Sequence, residues 1–241
     1  MRPLKVIVAV LAGVAGVALT VSLGNWQTRR GDEKAARQAR WDEALASLPS
    51  TITSGEDAAG IARQLPQTVR VAGTFVLEAT VYIDNRLVDG VAGYQVITPL
   101  VVADGSPWVL VNRGWAPRNM ADRTELPRAP VSSGPLLIEG VAVPHVPRVL
   151  GLGTQGGTLR GIWQNLEFEA YERASGRKVA RFVVQQTNDT GDGLRRVWLR
   201  PDAGVDKHRG YAFQWYSLAA LIAGLTLYFG GKAALSNTRH R

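Results

Sequence analysis

The chain has 241 residues, 46% of them hydrophobic, a formal net charge of +8 and no cysteine. The missing thiol excludes disulfides, thiolate metal sites and cysteine nucleophiles, and the Lys and Arg residues are too scattered to form the basic, aromatic-interleaved stripe of a nucleic-acid binder. Once two membrane-crossing segments are set aside, about one domain's worth of chain is left.

From the N-terminus, Val6 to Leu23 carries no charge and follows Arg2 and Lys5. Such a run is a signal anchor or the apolar region of a signal peptide; its length, and the lack of an A-x-A site before Trp26, favour an anchor. Gly24-Asn25-Trp26-Gln27 reads as the exit into the interface, with Trp26 as a belt aromatic. Small residues at Ala12, Gly16, Thr20 and Gly24 suit close packing on a second helix. Arg29, Arg30, Lys34, Arg37 and Arg40 follow, a composition suited to anionic lipid headgroups. By charge alone these cations would hold the middle of the chain inside, but that rule weakens for loops beyond about 60 residues and leaves the side open. Helix is predicted to run on through Asp32 to Leu48, with Trp41, Leu45 and Leu48 as a narrow apolar stripe.

Thr51 to Gly60, loaded with Ser, Thr, Gly and Asp, reads as a loop. From Thr68, β-branched runs bounded by turn residues predict strands at Val69–Val76, Thr80–Leu87, Tyr94–Val102, Trp108–Asn112 and Leu136–Val143. A short helix over Leu166–Ser175, ended by Gly176, precedes two more strands at Arg181–Gln186 and Arg195–Leu199, joined by a hairpin-type turn at Asn188–Gly193. About seven strands point to a mainly antiparallel barrel or sandwich. Asn85-Arg86 and Asn112-Arg113-Gly114 each follow an apolar run and read as turns, with a binding role open for either arginine. Tyr211 to Phe229 is the second uncharged run, with Tyr211, Trp215 and Tyr216 at one end, Tyr228 before Lys232 at the other, and Ala220 and Gly224 as its small residues.

Gly151-Leu152-Gly153-Thr154-Gln155-Gly156 spells a dinucleotide fingerprint but lacks the strand before and the helix after that such a site needs. Asn188, Thr190 and Asp192 resemble half a calcium loop whose twelfth position is Leu199, not the bidentate Glu required. Asn188-Asp189-Thr190 is a formal glycosylation sequon. With no G-x-S-x-G anywhere, a hydrolase triad is not expected. His145, between prolines, and His240, in the tail, read as surface residues. His208 differs, because helical spacing sets it over Tyr211 and Trp215, and neutral imidazole is a haem-iron ligand. An interfacial histidine bound to water is the plainer alternative.

Five stretches, in order, resemble the surfeit locus protein 1 family: Gly24-Asn25-Trp26-Gln27-Thr28-Arg29-Arg30, Gly93 to Leu100, Leu110 to Arg118, Trp163-Gln164-Asn165-Leu166-Glu167, and His208 with Tyr211, Trp215 and Tyr216. The resemblance implies two transmembrane α-helices flanking a mainly antiparallel β extracytoplasmic domain with one short helix. In residues, that is a cytoplasmic 1–5, a span at 6–25, the domain at 26–208 with a helical lead-in at 30–48, a span at 209–230 and a cytoplasmic tail at 231–241. It further implies a factor of the bacterial plasma membrane, not an enzyme, that assists haem a delivery to subunit I of haem-copper cytochrome c oxidase alongside other assembly factors. His208 would ligate the iron, Trp26, Trp215 and Tyr211 would flank the macrocycle, and Arg29, Arg30 or Arg209 would neutralise propionates. The alternative is a structural chaperone that binds no cofactor, with Arg113, Trp115 and Arg86 as partner contacts. The family usually has an apolar residue directly after this histidine, where Arg209 and Gly210 stand here.

Overall fold

The computed structural model describes residues 3–105, 107–122, 125–131, 134–148, 157–198 and 204–238. The Gly151–Gly156 motif, Leu199 and His240 lie outside them. The chain divides into two compact units, one of Met1–Ala39 with Arg200–Arg241 and one of Arg40–Leu199.

The first unit is a helix pair. Helix α1 (Pro3–Ala46) and helix α4 (Val205–Thr238) run for 44 and 34 residues, about 66 and 51 Å at 1.5 Å per residue. Both exceed the roughly 30 Å of a bilayer's hydrocarbon core, so each continues past its apolar stretch. Both are long and apolar enough to cross a membrane. Leu11, Leu19, Phe213 and Leu227 are 62–76% exposed, an outward apolar surface that suits lipid. The seam between the helices is made of small residues, because only these let two backbones approach closely. A Cβ at Gly13 would collide with Thr226, one at Gly24 would stand 2.7 Å from the Tyr216 ring, and one at Gly16 would touch Ile222 at 3.6 Å. Thr20, Ala212 and Ala219 are buried there. The expected small-residue positions shift accordingly: Gly13, not Ala12, lies in the seam, while Ala220 and Gly224 face outward.

The second unit is a mixed eight-stranded sheet, in spatial order β1-β2-β6-β8-β5-β4-β3-β7. The strands are β1 (Ser50–Ile52), β2 (Gln67–Phe75), β3 (Val81–Val88), β4 (Val91–Val101), β5 (Trp108–Pro117), β6 (Leu136–Val143), β7 (Ile162–Trp163) and β8 (Val179–Gln186). Most pairings are antiparallel, and β1–β2, β3–β7 and β5–β8 are parallel. A short pairing of β2 with β4, Thr74 opposite Val101 and Phe75 opposite Leu100, closes the run β2-β6-β8-β5-β4 on itself. Alternation along these strands separates two cores. Val69, Val71, Leu100, Val109, Val111, Ile138, Phe182 and Val184 share one face, and helix α2 (Gly55–Ile61) adds Ala58 and Ile61 to it. Ile83, Ile97, Leu110, Val141 and Val183 share the other, covered by Trp163 and by Tyr171 of helix α3 (Phe168–Ser175). Helix α3 stops at Gly176, whose φ of 65° is the left-handed cap that glycine tolerates.

Several expectations need correction. Thr51 to Gly60 is not a loop: it holds β1 and α2, and α2 starts at a capping box in which Ser54 Oγ accepts from Asp57 N–H and Asp57 accepts from the Ser54 backbone. The lead-in stripe uses Trp41 and Ala44, with Thr68 donating to the Ala44 carbonyl at 2.6 Å, while Leu48 is 91% exposed. Residues 188–193 do not form a hairpin. After β8 the chain turns through Gly191 and Gly193, both at positive φ, and Arg195 bridges Trp115 of β5. Asn85-Arg86 and Asn112-Arg113-Gly114 are not turns either. They mark register shifts inside β3 and β5, and Asn85 (φ 59°) and Gly114 (φ 146°) carry the irregular backbone.

Candidate functional site

His208 lies in the first full turn of α4, which begins at Val205, so Arg209 and Gly210 do not interrupt the helix. Its ring is half-buried at the seam, with its Cβ beside Gly31 of α1. Nδ1 stands 2.7 Å from Oε1 of Gln27. With the amide oxygen facing the ring, Nδ1–H is the donor, and in the neutral imidazole Nε2 is then the nitrogen with the lone pair. About two turns further along α4, Tyr216 donates its hydroxyl to Asn25 Oδ1 at 2.7 Å, and the same hydroxyl stands 3.4 Å from Thr28 Oγ1. Gly24 provides the space for the Tyr216 ring. In the stretch read from sequence as an interfacial exit, Gly24, Asn25, Gln27 and Thr28 all serve to seat two side chains of α4.

These contacts fix the pair as antiparallel, with Gly13 level with Thr226, Gly24 with Tyr216 and Gly31 with His208. Helix positions turn by about 100° per residue. Carried round from the seam, Trp26 and Arg30 of α1 and Tyr211 and Trp215 of α4 fall on one flank of the pair, with Trp26 level between the two α4 aromatics. His208 and Gln27 sit at the seam. Trp215 is half-buried, while Trp26 and Tyr211 are 45% and 54% exposed, so the flank presents open aromatic surface beside the imidazole. Arg30 is held by Glu33 at 2.9 Å. Arg209 falls on the other flank and Arg29 on the side of α1 away from α4, so the structure does not gather them with the rest.

The arginines read as candidate partner contacts are buried inside the β domain. Arg113 is 1% exposed and donates to the carbonyls of Ala129 (3.1 Å) and Pro130 (2.9 Å) and to Asp192 (3.1 Å). Asp192 also accepts from Arg196 at 2.9 Å, from Thr190 Oγ1 at 3.2 Å and from the Leu194 N–H at 3.1 Å. Burial pulls the Arg113 guanidinium below its usual pKa and Asp192 opposes that pull. Trp115 is buried, donates its indole N–H to the Arg86 carbonyl at 2.8 Å and is overlaid by Arg195. Arg86 is buried as well, its pKa lowered by desolvation. Arg113 and Trp115 are thus engaged within the domain, whereas Nε and one terminal nitrogen of the buried Arg86 have no hydrogen-bond partner among the described residues. Among the described residues no cluster of three or more His, Asp or Glu side chains could hold a metal ion.

A family model described as the SURF1 family matches residues 14–220. The chain belongs to the SURF1 family. It is similar to a SURF1-like protein of Monosiga brevicollis, 25% identical over 226 residues that cover 89% of this chain and 84% of that protein. It is also similar to a surfeit locus protein 1 of Xenopus tropicalis, 25% identical over 225 residues covering 83% of this chain and 69% of that one. The SURF1 match runs from within α1 to within α4, so it takes in Gln27, His208 and the aromatic flank as well as the whole β domain.

Proposed function

We propose that this SURF1-family protein is an assembly factor, not an enzyme, for a haem-copper cytochrome c oxidase, and that the helix pair holds haem a as cargo on its way to subunit I. The observation that carries the reading is the half-buried His208 imidazole at the seam, one ring nitrogen engaged by Gln27, beside the aromatic flank of Trp26, Tyr211 and Trp215. A haem needs an axial nitrogen, a flat apolar surface and cations for its propionates. Nε2 is the donor the hydrogen bond leaves over, the flank is the surface, and Arg30 is the cation on that flank. Its pair with Glu33 is exposed on both sides and worth only about 0–1 kcal/mol, so a propionate can replace the glutamate at little cost.

When bound, the haem supplies only its iron's affinity for nitrogen; everything else is positioning by the chain. The helix seam fixes where the imidazole stands, the aromatics exclude water from one macrocycle face, and no covalent bond is made or broken. The setting is the bacterial plasma membrane, with α1 and α4 in lipid, both termini cytoplasmic, the β domain on the other side and further assembly factors as partners. The alternative, a chaperone that holds an oxidase subunit without binding any cofactor, would need surface contacts other than Arg113, Trp115 and Arg86, which are buried.

The test is the absorption spectrum of the protein purified after co-expression with haem a synthesis. The reading expects a haem spectrum that weakens in His208→Ala; a protein that carries no haem, or carries it equally without His208, refutes it.

A further inference from the structure

We propose that Gln27 is the positioning residue for His208, and that its being a neutral amide, not a carboxylate, tunes the histidine to hold haem for release. The inference rests on the reading of His208 as the iron ligand. Its own ground is the 2.7 Å contact between Nδ1 and Gln27 Oε1 across the helix seam. Imidazole bound to metal through one nitrogen takes its orientation and donor strength from whatever accepts the proton on the other. Gln27 does two things at once. By accepting from Nδ1–H it selects, for the neutral ring, the tautomer with Nε2 as the lone-pair nitrogen, and by tying the ring to α1 it restrains rotation of a side chain near the start of α4.

The identity of the acceptor matters as much as its presence. A carboxylate at this place would draw the Nδ1 proton, push electron density toward Nε2 and make a stronger, more permanent ligand that favours ferric iron. The amide accepts the same hydrogen bond without the charge. Such a ligand is preorganised but weakly donating, which suits a site that must give its cargo up. The seam supports this placement. Gly31 lies against the His208 Cβ, and the neighbouring Asn25 and Thr28 are engaged with Tyr216, so Gln27 is the α1 side chain seen to bond the ring.

The experiment loads purified full-length protein in detergent with haemin. It compares wild type, His208→Ala, Gln27→Leu and Gln27→Glu by the rate of haem loss to apomyoglobin and by midpoint potential. Gln27→Leu should lose haem roughly ten- to a hundred-fold faster, the usual scale for removing such a partner, and Gln27→Glu should lower the potential and slow release below wild type. Wild-type rates and potentials in both Gln27 variants, with His208→Ala defective, overturn the role of Gln27 alone. A wild-type haem spectrum in His208→Ala overturns the ligand reading and this inference with it. If Gln27→Leu does not fold, Gln27→Glu decides: an unshifted potential overturns the proposal.

Discussion

Removing the carboxylate of Asp192 should cost the β domain more than any other single truncation of a polar side chain in it. Asp192 is fully buried and stands between two guanidiniums, Arg113 at 3.1 Å and Arg196 at 2.9 Å, with the Thr190 hydroxyl and the Leu194 N–H completing its shell. In Asp192→Ala the Arg113 side chain, 1% exposed, keeps its two carbonyl partners but loses its counter-charge. Breaking a buried pair in this way costs about 3–5 kcal/mol. For a domain of this size each kcal/mol lowers Tm by roughly 2–4 °C, so the drop should be about 6–20 °C. Asp192→Asn, which keeps an acceptor for Leu194 but not the charge, should fall between wild type and Ala. Thermal unfolding of the detergent-solubilised protein, followed by tryptophan fluorescence, reads the change. A loss under about 1 kcal/mol for Asp192→Ala would refute the view that Arg113 is held as a buried structural cation.

Tyr171 donates its hydroxyl to the Ala79 carbonyl in the second core, and burial pushes its pKa up. Tyr171→Phe leaves that carbonyl unpaired, so it should cost about 1–3 kcal/mol in denaturant midpoint at constant slope; no shift would mean that water replaces the phenol. Because the chain has no cysteine, paired substitutions report the helix register directly. Gly16→Cys with Ile222→Cys should cross-link under mild oxidation and Ala12→Cys with Gly224→Cys should not, and the reverse pattern would reject the seam. The Asp57 carboxyl is held below its usual pKa chiefly by the Thr53 N–H and hydroxyl, with Ser54 adding to it. A lowered folded pKa means that the contribution is complete above the unfolded value and is lost as pH falls through the folded one. Amides of α2 should therefore exchange faster, relative to the rest of the domain, only once the pH drops below the ordinary carboxylate range, and Asp57→Asn should abolish that extra step.

Both long apolar runs were legible because they are written in consecutive residues: Val6 to Leu23 and Tyr211 to Phe229 have no charge to misread. The continuation of α1 to Ala46 was legible too, in the Gly- and Pro-free run from Asp32, whereas the start of α4 at Val205, ahead of the expected 209, was not, because Asp206 to Arg209 carry no apolar signal. Strands β2 to β6 and β8 followed from β-branched alternation, but the two short parallel strands β1 and β7 did not, and the strand expected at Arg195–Leu199 is only an isolated bridge at Arg195 among the described residues. Helix α2 was missed although Ser54 and Asp57 carry its start signal three residues apart, because seven residues are too few to show a period. Arg113 could not be understood locally, for its partner lies 79 residues further on. The site divides in the same way. His208 and its aromatics stand at helical spacing within one segment and could be picked out, whereas Gln27 acts across 181 residues through a register that only the packed pair reveals.

Cytochrome c oxidase activity in membranes of a strain lacking this protein, complemented with wild type or with His208→Ala produced at equal levels, bears on the account most directly. A helix pair that hands over haem predicts low activity without the protein, recovery with wild type and little recovery with the alanine variant. Full recovery with His208→Ala, or unchanged activity in the deletion, would contradict it.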